Sequence, residues 1–114
     1  MLPKKNRLKK KKDFENVFKH GKSFKSEFLT LRFKQGELEN SRFGFIVSNK
    51  VSKKAVVRNR TRRRLQSAAE KYFLQIEKNI DGIFMAFPGL ENKSFLEIQE
   101  TVGGLFLKAG LISK

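Results

Sequence analysis

Two apolar runs of strand length, residues 42–48 and 83–87, flank a long stretch of helical period, and that order constrains the fold more than any other feature of the chain. Residues 42–48 (RFGFIVS) alternate Phe43, Phe45 and Val47 against Gly44, Ile46 and Ser48. Both faces are apolar or small, so this segment predicts a central strand. Residues 83–87 (IFMAF) form a continuous apolar run stopped by Pro88 and Gly89, the pattern of a buried strand. Between them Leu65, Ala69, Tyr72 and Ile76 recur at helical spacing, predicting a helix of roughly 20 residues. Strand, helix and strand make a βαβ unit, so the two strands are expected parallel in one sheet.

The flanking segments carry local signals of their own. Asp13 opens a short helical pattern through Phe14, Val17 and Phe18 that Gly21 stops. Residues 28–34 (FLTLRFK) place Leu29, Leu31 and Phe33 on one face and Phe28, Thr30, Arg32 and Lys34 on the other, a half-covered strand whose second face is partly basic. Residues 22–26 predict a shorter strand before it. Residues 34–41 (KQGELENS) form a loop long enough for an antiparallel return. A last helix starts at Ser94, with Ser94 and Glu97 as a capping box and Phe95, Ile98, Val102, Leu105 and Phe106 as its apolar stripe. Gly103, Gly104 and Gly110 weaken that helix, and the terminal LISK is expected to fray. At 114 residues, with 12 Phe and 39% hydrophobic residues, the chain is expected to form one domain, 1–114, around one core.

Charge narrows the function. Residues 50–65 (KVSKKAVVRNRTRRRL) hold eight Lys or Arg and no acid. Their potential suits a polyanion. Extending the helix back through Arg58 gathers Arg60, Arg63, Arg64, Ser67 and Lys71 opposite the apolar stripe, with Arg58 and Arg62 at its edge. Asn59 falls at the expected helix start, where its amide can cap the backbone or hydrogen-bond a sugar or base. Residues 1–64 carry 21 Lys or Arg and 5 acids, against 5 and 6 in residues 65–114, so the first half meets the partner. Residues 1–12, with Lys4, Lys5, Arg7 and Lys9 to Lys12, hold too little apolar content to pack, and 1–8 are expected to form a flexible basic arm. Phe14 and Phe18 share a helical face, which is either core or the wall of a groove where unpaired bases stack. An anionic membrane would need an apolar wedge or a lipidation signal beside the charge, and neither is evident.

Groups for protein-based catalysis are few. There is no Cys and one His, His20, which reads as a helix-end residue. No GxSxG, Walker loop or HExxH occurs, and the two Asp and nine Glu show no close metal-chelating spacing. No small-molecule substrate site is read. The lack of Cys suits a reducing cytoplasm, and no apolar run approaches the roughly 18 residues of a membrane span.

Gly44 with SNKVSKKAVVRNRTRRRL (48–65), preceded by DFENVFKHGKSF (13–24) and followed by a strand ending at Pro88, resembles the protein subunit of bacterial ribonuclease P over about residues 7–107. The sharpest part is Arg58-Asn59-Arg60 just after Ala55-Val56, matching that family's RNR motif. The resemblance implies an α+β fold, an α-β-β-β-α-β-α two-layer sandwich with a left-handed βαβ crossover, similar to the second domain of a small-subunit ribosomal protein. It implies that a catalytic RNA performs the Mg2+-dependent removal of the 5′ leader of precursor tRNA, with Mg2+ held mainly by RNA and no protein metal site. It assigns Lys50, Lys53, Arg58, Asn59, Arg60, Arg62 and Arg63 to the catalytic-RNA side, and Phe14 and Phe18 to a cleft for the single-stranded leader. Four positions depart from the family pattern: Asn49 stands where Lys is common, Ser52 for Gly, Gln66 for Arg and Phe87 for the Arg before Pro88. Two other classes remain open on the residues alone: a ribosomal protein or RNA chaperone, and a protein-only nuclease.

Overall fold

The computed structural model describes residues 3–36, 40–76 and 79–113. Glu37 and Glu39 of the expected 34–41 loop, and the final Lys114, lie outside them. The elements run α1 (Lys11–His20), β1 (Lys22–Lys25), β2 (Leu29–Gln35), β3 (Arg42–Val47), α2 (Ala55–Glu70), β4 (Ile80–Ala86) and α3 (Phe95–Lys108). This is the expected α-β-β-β-α-β-α order. The four strands form one sheet in the order β1-β2-β4-β3, with β3 and β4 parallel and the other pairs antiparallel.

Strand parity sorts the sheet into two faces. Leu29 and Leu31 of β2, Phe43 and Val47 of β3, and Ile80, Phe84 and Ala86 of β4 join Leu65, Ala68 and Ala69 of α2 and Ile98, Val102, Leu105 and Phe106 of α3 in the main core. Phe84 lies at its centre, 5.5 Å from the Phe106 ring edge-on and 5.7 Å from the stacked Phe45 ring. The opposite face carries α1 and a smaller cluster, in which Phe14, Ile46 and Met85 pack against buried Leu8, Val17 and Ile83.

Residues 42–48 were expected to be a central strand, and this is corrected: β4 is central and β3 stands at the edge of the four. β3 is apolar on both sides because both are covered, Phe43 by the main core and Gly44 by the Phe14 ring. A Cβ at residue 44 would lie 2.5 Å from Phe14 Cζ, so the helix can approach only over glycine. The outer edge of β3 takes the N-terminal segment. Arg7 makes a parallel bridge with Phe43, the Leu8 N–H donates to the Phe43 carbonyl at 2.9 Å, and Asn6 Nδ2 donates to the Ser41 carbonyl at 2.8 Å. The expectation that residues 1–12 cannot pack is therefore corrected at Leu8, a single apolar anchor that is 5% exposed.

β4 begins at Ile80, three residues ahead of the apolar run, because Asp81 and Gly82 are strand residues rather than turn punctuation. α2 is shorter than its stripe suggested and ends at Glu70. Tyr72 leaves the helix, donates its hydroxyl to the Gln99 carbonyl at 3.2 Å and lies against Gly103, where a Cβ would sit 2.5 Å from the phenolic oxygen. A glycine that is poor for helix propensity is what lets this ring pack against α3. The Ser94–Glu97 capping box is present. Phe95, however, is exposed, and the LISK tail does not fray where described, since Leu111 and Ile112 are buried.

Candidate nucleic-acid interface

The segment that leads from β3 into α2 is held by one buried side chain. Val51 is 5% exposed, and its N–H donates to the Ser48 carbonyl at 3.1 Å, which turns the chain and leaves Lys50 and Lys53 in solvent. Ser52 Oγ accepts the Lys54 N–H at 3.2 Å, and Arg58 Nη1 donates to the Ser52 carbonyl at 3.0 Å. Arg58 thus ties the loop to the helix while its side chain stays partly accessible.

α2 starts at Ala55, so Asn59 lies in the second turn and the expected capping role is corrected. The N-cap is Lys54, which makes no side-chain cap. Asn59 Oδ1 instead accepts from Arg62 Nη1 at 2.8 Å, one turn on, and orients that guanidinium. The buried stripe is Thr61, Leu65, Ala68 and Ala69, with Thr61 Oγ1 donating back to the Val57 carbonyl at 2.9 Å. Arg60, Arg63 and Ser67 are exposed on the other side, with Arg64 half-exposed. The arginines at 58, 60, 62, 63 and 64 make no salt bridge with any described residue. A rigid helix therefore presents a row of guanidinium forks whose charge is uncompensated, the arrangement that suits phosphate.

The two phenylalanines of α1 part company. Phe14 is half-buried in the smaller cluster over Gly44, while Phe18, a turn later, is 41% exposed. Ile46 and Met85 are half-exposed in the same cluster, and Phe87 is exposed just beyond β4. Arg32 on β2 anchors the end of α1. Its Nε donates to the Val17 and Phe18 carbonyls at 3.2 and 3.1 Å, and its Nη1 donates to Ser23 Oγ at 2.7 Å. A cation at the carbonyl end of a helix also complements the helix dipole.

Sequence reasoning missed the ion-pair network at the other end of α1. Arg42 reaches Asp81 through two hydrogen bonds, Nε to Oδ1 at 3.0 Å and Nη2 to Oδ2 at 2.8 Å, and its Nη1 meets Asp13 Oδ2 at 3.1 Å. The Asp81 hydrogen bonds, aided by both carboxylate charges against the cost of burial, hold the guanidinium above its ordinary pKa. No local pattern joins these three residues, so no motif exposed them. Among the described residues no group of three or more His, Asp or Glu side chains is placed to hold a metal ion.

A family model described as Ribonuclease P matches residues 2–110. The chain belongs to the ribonuclease P protein family. The ribonuclease P protein component of Syntrophomonas wolfei is 33% identical over 114 residues, covering 100% of this chain and 95% of that protein. The component of Synechocystis is 37% identical over 112 residues, covering 97% and 90%. Among solved structures, the Staphylococcus aureus RNase P protein superposes with a TM-score of 0.86 at 25% identity, covering 95% of this chain and 98% of the other. The Thermotoga maritima RNase P protein gives 0.80 at 26% identity, covering 90% and 96%. Family membership carries a coarse role: the RNA-binding protein component of ribonuclease P, an endoribonuclease of tRNA processing. No helix among the described residues is long and apolar enough to cross a membrane.

Proposed function

We propose that this ribonuclease P protein binds the catalytic RNA through α2 and its preceding loop, and the single-stranded 5′ leader of precursor tRNA beside α1. The observation that carries this reading is the row of arginines on a packed helix with no acid partner among the described residues. Lys50, Lys53, Arg58, Asn59, Arg60, Arg62 and Arg63 form the catalytic-RNA side. Neutralising charge there lets two polyanionic RNAs approach. On the leader side Phe14 forms the floor and Phe18 offers an open ring, and a base stacked on such a ring gains about 1–3 kcal/mol. Only the precursor carries a leader, so the protein strengthens binding of substrate over product.

Hydrolysis is assigned to the RNA, together with the Mg2+ it requires. Asp13 and Asp81, beside α1, are engaged by Arg42. A cytoplasmic setting, where tRNA is processed, goes with this role.

The test is leader removal by a bacterial catalytic RNA at low Mg2+, with and without the protein. Faster cleavage is expected with it, and an unchanged rate would defeat the proposal. Precursor and mature tRNA binding to the reconstituted complex separates the leader role, because equal strengthening of both leaves no leader contact. Arg60→Ala is expected to weaken assembly with the catalytic RNA about tenfold, as loss of one charge-assisted contact does, while leaving leader discrimination in place. Phe18→Ala is expected to do the reverse.

A further inference from the structure

A second cationic surface lies at the far end of β3 from α2. Residues 4–12 contain Lys4, Lys5, Arg7 and Lys9 to Lys12 with no acid, and the Leu8 backbone and the Asn6 side chain dock the middle of this segment along β3. The lysines are exposed. They border two adjoining clefts of about 500 and 580 Å3, which share Lys10, Asp13 and Arg42. Lys34 of β2 lines the second.

The acids in these clefts do not cancel that charge. Asp13 and Asp81 both face Arg42, which holds them at 3.1 and 2.8 Å. Lys4, Lys5, Lys9, Lys10 and Lys12 form no salt bridge with any described residue. Arg42 therefore acts as an internal counter-ion to Asp13 and Asp81, and no other described acid pairs with these lysines.

Two features set this surface apart from α2. The six residues of β3 separate them by about 15–20 Å, beyond a Debye length of about 8 Å at physiological salt, so each meets phosphate independently. The chemistry also differs. α2 presents arginine forks that can read geometry, while the N-terminal surface presents mainly lysine point charges and no aromatic ring among the residues lining either cleft. Without rings to stack unpaired bases it has nothing to favour a single strand, and flexible ammonium groups suit closely spaced phosphates whatever the sequence.

We infer that the cleft between residues 4–12, the start of α1 and the start of β3 is a second RNA-binding surface, which takes the backbone of a base-paired segment without reading its sequence. The inference rests on the proposed role as an RNA-bridging subunit and adds a place for a helix, apart from the arginine row and the leader.

The test measures binding of the full-length protein to a 20-base-pair RNA duplex of arbitrary sequence and to a 12-nucleotide single strand, across a salt series. The variant is Lys4→Gln, Lys5→Gln, Lys9→Gln and Lys10→Gln combined. Duplex affinity is expected to fall at least tenfold, and the slope of log affinity against log salt to shrink by about two to four, near one per lost phosphate contact. Single-strand affinity should stay within about threefold. An unchanged duplex slope overturns the inference, and so does an equal loss on both probes. If the fourfold variant does not fold by circular dichroism, the Lys4/Lys5 and Lys9/Lys10 double variants carry the same test with half the slope change. The probes contain neither catalytic RNA nor leader, so failure here leaves the leader-removal assay free to succeed or fail by itself.

Discussion

Under α2 and α3 the sheet contributes Phe43, Phe84, Leu31 and Ile80 to a core of interlocking rings, whereas under α1 it contributes Arg32, Lys34, Arg42 and Asp81 beside a few apolar residues. The first face is closed by two helices. The second is only partly roofed by one helix and a docked N-terminal segment, and the half-exposed Ile46 and Met85 remain at its margin. One side of the sheet makes the molecule stable, which lets the other carry charge and open rings that stability alone would not select.

The largest test of that division is truncation of a ring on each face. Phe84 is fully buried, so Phe84→Ala should cost about 3–5 kcal/mol. Phe14 is half-buried in a smaller cluster, and Phe14→Ala should cost about 1–2 kcal/mol by the same reasoning. Urea denaturation of the two variants measures the difference. Equal losses would mean that both faces belong to one core and that the α1 side is no specialised surface.

A somewhat smaller effect is expected from the charged network, the α1 face's substitute for hydrocarbon. Arg42→Ala leaves the Asp81 side chain, only 5% exposed, without its two hydrogen bonds, and a loss of about 2–3 kcal/mol is expected. Arg42→Met combined with Asp81→Leu should regain most of it, because an apolar pair of similar volume avoids desolvating the ions. Recovery would show that the ion pair serves placement of the α1 face more than stability. If the double variant is no better than the single, the network is a stabilising element in its own right. In either case Asp13 remains in the first turn of α1, where its charge suits the helix dipole.

How much of this was legible follows from the range over which each signal acts. Element order and the parallel β3–β4 pair were readable because periodicity is local and a helix between two strands leaves few ways to join them. The cationic row of α2 was readable for the same reason, since 100° per residue sorts Arg60 and Arg63 from Leu65 without any partner in view. Neither the helix start at Ala55 nor its end at Glu70 followed from that rule. The stripe gives phase, whereas the ends depend on Arg58 holding the Ser52 carbonyl and on Tyr72 turning toward Gly103. The edge position of β3 was hidden because side-chain pattern reports the layers above and below a strand, whereas the strands beside it are joined through backbone groups that leave no mark on that pattern. Arg42, Asp13 and Asp81 are far apart in sequence, 29 and 39 residues for the two contacts, and only the folded sheet brings them together. The N-terminal segment was misread because composition averaged seven cations with Leu8, whose burial decides where the segment lies.

The smallest expected effect contrasts a solvated carboxylate with the buried Asp81. At the start of α3, Glu97 accepts the Ser94 N–H at 3.0 Å, and this backbone hydrogen bond, followed by the Ser94 hydroxyl and the nearby Lys93 charge, lowers the Glu97 pKa. A carboxylate whose folded pKa lies below its unfolded value stabilises the fold fully above the unfolded value, and that contribution fades as the pH drops through the folded one. Glu97→Gln keeps the shape of the capping box but removes the charge from the positive end of the helix. Wild type should therefore be slightly more stable than Glu97→Gln near neutral pH, and the gap should close in acid, as read from thermal midpoints of both proteins across a pH series. The group is fully exposed and screened by water, so a shift of a degree or two is expected at most. A gap that persists unchanged below the carboxylate range would mean that the difference does not come from the Glu97 charge, and the distinction between buried and solvated carboxylates in this fold would then rest on Asp81 alone.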